Sequence, residues 1–390
     1  MGVRRRFLNL IVDNDVRGTK SLRCINLDRQ KFFDDTPSPA RRPNGSGSES
    51  EAGLREALKL GRITLPHPSI NFEACGSVLQ WSIDCFPLGG GRNKVLCADQ
   101  SGRAFLFDAD TRHVVPMPDL NAPKLSPFSV FVPGADADDD GSSLFVMERY
   151  PAQETLSVHL SHQFEAFVYR KLTNSWSCQL LPPPPFVTDP KYWHGRPKKI
   201  SSYGVVGSGG WSICVSVDGA GTYCLDTVKH AWSSAGEWTL PFCGKFEYVP
   251  ELQLWFGISA EDRRCLTAAD LSATDSPPQI VDSWMELETP DEWTEMLDPQ
   301  LVSLGSGRFC VARFFHTRIR TGDLCEGSVE RYFTVVTGVD VVRHVPDGNG
   351  SINGHGSASS SDGKGKLGII KHRSRSHISY GRDGNITAVF

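Results

Sequence analysis

Asp136-Ala137-Asp138-Asp139-Asp140-Gly141 is the segment of this 390-residue chain whose residue types come nearest to a ligand-binding motif. Carboxylates at alternate positions with glycine sixth let a loop wrap oxygen around a hard cation, which is how a calcium loop opens. The remainder departs from that pattern: Leu144 stands at position nine, Met147 at position twelve, and Glu148 is displaced by one. The flanks 128–132 and 144–147 read as strands, so an acidic solvated hairpin is expected, with calcium binding as the alternative. The histidines show no metal-like pairing, and no cofactor is expected.

Aromatic residues are the second candidate chemistry. Trp193, Trp211, Trp232, Trp238, Trp255, Trp284 and Trp293 crowd one stretch of chain together with Tyr192, Tyr203 and Tyr248. Large flat side chains serve equally as core packing and as interface anchors. Trp193, in the loop 189–199, and Trp293, in the loop 289–298, are expected to be exposed and to contact a partner. Phe186 joins them as a contact residue, because Pro182 to Pro185 before it should form a stiff, extended, projecting loop.

A basic stretch, Lys364, Lys366, Lys371, His372, Arg373 and Arg375, lies near the carboxyl end. It reads as a charged edge strand that resists mispairing, the alternative being a nuclear signal or a phosphate-contacting patch. Glu247 and Glu251 are four apart, but Pro250 and strand character keep them off a common helical face. No G-x-S-x-G elbow, H-E-x-x-H, P-loop or G-x-G-x-x-G occurs. A hydrolase or oxidase site would have to be gathered from distant blades at the mouth of a propeller's central channel, so the chain is read as non-catalytic, with an enzyme of that kind as the alternative.

Charge and composition bound the partners. With 41 basic and 45 acidic residues the chain has no field that argues for nucleic acid. No run of 18 apolar residues is present, so no membrane span is expected. Arg4 to Arg6 followed by Phe7 to Val12 superficially resembles a signal peptide, yet Asn9 and Asp13 interrupt it, and a strand is expected. The eleven cysteines form no C-x-x-C pair; several sit in apolar runs and should be reduced core thiols of a cytoplasmic or nuclear protein.

The elements that would position any site are strands. Short apolar runs such as 94–98, 143–147, 253–258, 309–315 and 332–336 are bounded by Gly, Pro, Asp and Asn, and Asp99 to Gly102 and Asp218 to Gly221 suit tight hairpins. Two Gly/Ser/Pro-rich runs, 34–53 and 346–366, are too poor in apolar residues to order and read as disordered insertions. Residues 54–60 could form two helical turns. Four strand endings repeat: Leu22 to Asn26, Ala104 to Asp108, Ala166 to Arg170 and Thr222 to Asp226 each close on a polar residue, and six positions on stand Phe32, Val114, Trp176 and Trp232. Asp270 is a weaker fifth anchor. Repetition at roughly 40 to 50 residues is the mark of propeller blades. The expectation is an all-β chain forming a single β-propeller over 1–390, about six four-stranded blades, closed by Leu367 to Ile370 pairing with the amino-terminal strands. Trp176 and Trp232, at the repeated position, should pack between blades.

The phrases FLNLIVDN (Phe7 to Asn14), SLRCINL (Ser21 to Leu27), LPPPPF (Leu181 to Phe186), GTYCLDT (Gly221 to Thr227) and GEWTLPFCGKFEYVPELQLWFG (Gly236 to Gly257) are similar to an uncharacterised plant family, expanded in grasses and labelled only as a domain of unknown function. The resemblance implies a kelch-like propeller and a plant origin, and assigns no catalytic residue. The regular Gly-Gly doublet of a kelch repeat is absent, with only Gly209-Gly210 and Gly89 to Gly91 approaching it. With the first strand expected within ten residues of Met1, no amino-terminal F-box is expected, and that role is expected to need another chain. The expected function is a protein-interaction module, monomeric, with an unknown protein partner.

Overall fold

The computed structural model describes residues 5–14, 18–34, 57–73, 83–88, 93–134, 141–153, 160–193, 196–207, 212–273, 276–320, 328–343, 367–380 and 384–390. The acidic loop 136–140, most of both expected insertions, Lys364, Lys366, Trp211 and residues 54–56 lie outside the described residues. Residues 57–59 are helical.

Nearly everything else that is regular is strand. β1 (Phe7–Asp13), β2 (Thr19–Asn26) and β4 (Ile70–Glu73) lie side by side, and β25 (Ile386–Val389) flanks β1 on the other side. β5 (Ile83–Leu88), β6 (Lys94–Asp99), β7 (Ala104–Asp108) and β8 (His113–Pro116) form a second sheet in chain order. β9 (Pro127–Val132), β10 (Ser143–Glu148), β11 (Ser161–Arg170) and β12 (Ser175–Leu181) form a third. An eight-stranded sheet has two antiparallel halves, β13 (Ile200–Val206) to β16 (Ala231–Gly236) and β17 (Phe242–Val249) to β20 (Gln279–Met285). A short parallel contact of β13 with β17, Ser202 opposite Gly244, joins the halves. Within them lie β14 (Ser212–Val217), β15 (Gly221–Asp226), β18 (Leu254–Ser259) and β19 (Cys265–Asp270). The last sheet has the longest strands, β21 (Thr294–Gly305), β22 (Arg308–Arg320), β23 (Ser328–Arg343) and β24 (Leu367–Tyr380), with β3 (Gly61–Arg62) parallel on the edge of β24.

The expected pairing of Leu367 to Ile370 with the amino-terminal strands does not occur. Leu367 to Ile370 pairs with Val341 and its neighbours on β23, while Leu10 of β1 faces Val389 of β25. Both segments are short and apolar; β24 follows β23 as its natural antiparallel partner and is used up there. The basic residues Lys371 to Arg375 fall on β24, where Arg373 donates to Asp34 and His372 contacts Asp340.

Strand sequences that read as unbroken apolar runs do so because both faces are covered. In β10, Leu144 and Val146 pack with Phe86, Leu96 and Leu106, whereas Phe145 and Met147 turn the other way onto Ile213 and Val215. The same two-sided packing recurs around the molecule: Ile11 and Leu22 with Val95 and Phe107, Val206 with Phe242 and Trp255, Phe256 and Ile258 with Phe309 and Val311, and Leu304 and Ala312 with Leu8 and Val389. That last contact brings the final long sheet against the first.

The repeated strand ending has a local cause. Asn26 Oδ1 accepts from the amide of Arg29, Asp108 from those of Asp110 and Thr111, Asp226 from those of Val228 and Lys229, and Asp270 from that of Ser272. Each polar side chain thus folds the turn that follows its strand. Arg170 cannot accept, and there a 3-10 turn ending on left-handed Asn174 does the work. Trp176 and Trp232 pack onto core clusters between neighbouring strand groups, as expected from their place in the repeat.

One cysteine expectation is overturned. Cys214 and Cys224 stand directly opposite each other on β14 and β15 and form a disulfide. Their positions on either side of one tight hairpin put the two sulfurs in reach, which composition alone does not reveal. Cys85 and Cys97 also face each other on paired strands, with sulfurs 3.7 Å apart and free.

Candidate functional site

Between β12 and β13 the sequence LPPPPFVTDPKYW builds a platform. Pro184 is extended, and Pro185 then opens a short helix, Pro185–Thr188, because its fixed φ suits a first helical turn. The helix drives Phe186 and Val187 down into the core, where Phe186 meets Tyr223 with ring centroids 5.4 Å apart. Phe186 is only 2% exposed, so the projecting proline loop expected from sequence is instead tucked under by helix formation. Asp189 ends the helix and accepts from the amide of Lys191 at 2.9 Å, starting a 3-10 turn with Pro190 at its first position. Trp193 follows, half-buried, its indole Nε1 donating to the Val187 carbonyl at 3.3 Å.

The platform forms one wall of a cleft of about 270 Å³. Phe186, Val187, Tyr192 and Trp193 line one side; Pro151 and Ala152, following β10, line the other. Both walls are tied down. Buried Gln163 exchanges two 2.7 Å hydrogen bonds with the backbone of Ala152, and Trp232 Nε1 donates to the Pro182 carbonyl at 2.9 Å. Arg196 and Lys198 complete the rim, and the ammonium groups of Lys191 and Lys198 sit 5.1 and 5.6 Å from the centre of the Tyr192 ring. A hydrogen bond to Tyr192 raises the Lys191 pKa above its ordinary value.

Trp293 does not belong to this site. It is 9% exposed and wedged between Phe315 and Phe333, with centroids 4.9 and 4.8 Å away. The long strands β22 and β23 extend beyond the rest of the core and need that ring, with Ala57 and Leu287, to cover their apolar face. Of the three expected contact residues, the structure brings Trp193 and Phe186 together, one at the rim and one beneath it.

A second constellation was not foreseen from sequence. Arg149, Lys199, Cys243, Arg263, Glu286, Glu295, Asp298 and Arg313 arrive from just after β10, just before β13, β17, the β18–β19 turn, just after β20 and the β21–β22 pair. Asp298 takes Arg149 and, at 3.3 Å, Arg263; Glu295 takes Arg263 at 2.5 Å and Arg313 at 3.1 Å; Glu286 takes Arg313 at 2.9 Å. Arg263 Nη1 also lies 2.9 Å from the Cys243 sulfur. Burial, followed by the Asp298 charge, pushes the Cys243 thiol up despite the nearby guanidinium. Carboxylates bound to guanidinium groups beside a protonated thiol make an internal charge clamp. One sequence signal could have revealed it: Arg313 interrupts the apolar run Phe309 to Phe315. Glu165 gives the same signal in Phe164 to Val168, and it is fully buried against Lys124.

Glu247 accepts from Lys245 on the same strand, and Glu251 lies beyond the strand end, so the two do not form a carboxylate pair. Among the described residues no group of three or more metal-ligating side chains is found. No helix among them is long and apolar enough to cross a membrane.

Residues 5–377 match the model of a family described as a protein of unknown function, DUF1668. No curated protein sequence matches the chain. Among solved structures, a protein from Lactobacillus plantarum aligns over 96% of this chain and 99% of its own, with a TM-score of 0.41 and 10% identity. The β-propeller domain of Cps50 (Swd1) from Myceliophteria thermophila aligns over 85% and 90%, with a TM-score of 0.39 and 10% identity. A protein of unknown function from Bacteroides caccae aligns over 79% and 82%, with a TM-score of 0.37 and 9% identity.

Proposed function

The chain belongs to the DUF1668 family, and we propose that it is a protein-interaction module that receives its partner at the Tyr192–Trp193 cleft. The observation that carries this is the combination of a braced floor and a half-exposed aromatic rim. Phe186 and Val187 fix the platform from below, and Trp193 is held by its own indole hydrogen bond. An aromatic anchor already locked in place loses little entropy when a partner covers it.

The scaffold behind the cleft is a closed, kelch-like propeller of six blades, each beginning near the axis with β25, β5, β9, β13, β17 or β21. Support comes from the antiparallel order within each group and from the pairing of β25 with β1. The proposal includes a plant origin, a monomer, and residence in the cytoplasm or nucleus. Proximity labelling with wild type and Trp193→Ala, both checked for folding, tests the central reading. Loss of a reproducible set of labelled neighbours in the variant is expected; an unchanged set would remove the cleft from consideration.

A second reading, a hydrolase or oxidase working at the Arg263–Asp298 cluster, has in its favour the convergence of charged side chains from well-separated strands. Activity profiling on generic ester and amine substrates, lost in Asp298→Asn while folding persists, would favour it over the interaction reading.

A further inference from the structure

We propose that the cleft docks an acidic peptide segment of a partner protein, with one bulky apolar side chain inserted between Trp193 and Pro151 and carboxylates on the basic rim. This rests on the interaction-module reading and adds to it the chemistry of the ligand. The two halves of the ligand follow from the two halves of the site.

The interior is of limited size, with Pro151, Tyr192 and Trp193 supplying its apolar surface beside polar and charged groups. A space of about 270 Å³ floored by Phe186 and Val187 accommodates one large side chain, not a folded domain. An extended peptide supplies such a side chain while its backbone runs along the rim.

The rim is cationic. Arg196 and Lys198 line the opening, Lys191 stands beside it near the Tyr192 ring, and no carboxylate side chain lines it among the described residues. Asp189 is near, but its side chain is engaged by the Lys191 amide. Arg196 and Lys198 form no ion pair among the described residues, whereas Arg149, Arg263, Arg308 and Arg313 all hold carboxylates. The contrast is sharper because the whole chain carries a net charge of −4. Two cations without ion-pair partners among the described residues, Arg196 and Lys198, are a local complement to acidic side chains, and the guanidinium of Arg196 can take a carboxylate through two parallel bonds. A long polyanion such as nucleic acid fits less well, since two lining cations offer few phosphate contacts.

A phage-displayed random dodecapeptide library, panned on the full chain, tests the proposal. The comparison protein is the double variant Arg196→Glu with Lys198→Glu, accepted only if its thermal unfolding matches wild type. Enriched peptides should carry an aromatic or Leu residue flanked by Asp or Glu. The best of them, made synthetically with a fluorophore, should bind the double variant at least about tenfold more weakly and lose affinity as salt rises from low to physiological levels. Neutral or basic consensus peptides, or equal affinity for the double variant, would overturn the acidic class; if those same peptides still fail to bind Trp193→Phe and Trp193→Ala, the interaction cleft itself stands. An unenriched library would sink both. Displacement of the acidic peptide by an equimolar thymidine oligonucleotide would instead assign the rim to nucleic acid.

Discussion

Arg196 and Lys198 at the cleft carry the same charge as Arg313 in the inner cluster, yet they live under opposite constraints. The inner guanidinium groups are surrounded by Glu286, Glu295 and Asp298, and Arg313 is 1% exposed. The rim cations face solvent and an aromatic ring. A cation that is buried must be paired, because its desolvation is otherwise too costly, and once paired it is unavailable to a ligand. Exposure at the cleft leaves the charge unspent. The difference separates residues that hold the sheets in place from residues free to meet something else.

The sharpest way to break this comparison is to remove one inner partner. Arg313→Met should leave Glu286 buried without its cation and destabilise the fold by about 3–5 kcal/mol, measured by urea unfolding. Adding Glu286→Leu should recover much of that loss; no recovery would mean that Arg313 matters through packing rather than charge. Next, Phe186→Ala should cost about 3–5 kcal/mol by opening a cavity under the platform. The same variant should free the Trp193 ring, seen as a red-shifted, more quenchable fluorescence. If stability falls while Trp193 emission is unchanged, the platform does not depend on its floor.

Glu165 offers a comparison of a third kind, a buried carboxylate whose pairing can be followed by pH. Burial alone would raise its pKa, but the Lys124 ammonium and the amide donors of Asn121 outweigh that and hold it below the ordinary value. A lowered native pKa contributes stability that is present above the unfolded value, about 4.3, and is lost as pH falls through the native value. Glu165→Gln should therefore cost about 2 kcal/mol near pH 7 and show a flatter acid limb below pH about 5. A steep limb retained in the variant would assign acid sensitivity to other carboxylates. Smallest of all, the rim pair Arg196→Glu with Lys198→Glu should change stability by less than about 0.5 kcal/mol, as expected of surface residues without structural partners.

What was legible in the sequence was local. The Asn26, Asp108 and Asp226 endings could be found because each side chain hydrogen-bonds the turn two or three residues on, so cause and signal lie in one short stretch. Trp176 and Trp232 were correctly placed in packing for the same reason. Trp193 was found at the rim, but Trp293 looked identical in sequence, since both are tryptophans in loops outside the repeat. Only the overhang of β22 and β23, a property of the assembled sheet, decides that Trp293 is covered. Phe186 was misjudged because four prolines suggest extension, whereas Pro185 starts a helical turn. The inner cluster was invisible as a site: Arg149 and Asp298 lie far apart along the chain and meet only through the fold.

The pairing of β25 with β1 sets an order on biosynthesis. A chain leaving the ribosome exposes the bare edge of β1 throughout translation of nearly all that follows, and an uncovered edge is open to pairing with other chains. The amino-terminal strands must wait, covered by a chaperone or by transient contacts, until Ile386 to Val389 is free of the exit tunnel. Locking of this sheet thus waits on residues 386–389, and nascent chains stalled before residue 386 should be the protease-sensitive, aggregation-prone species of this protein.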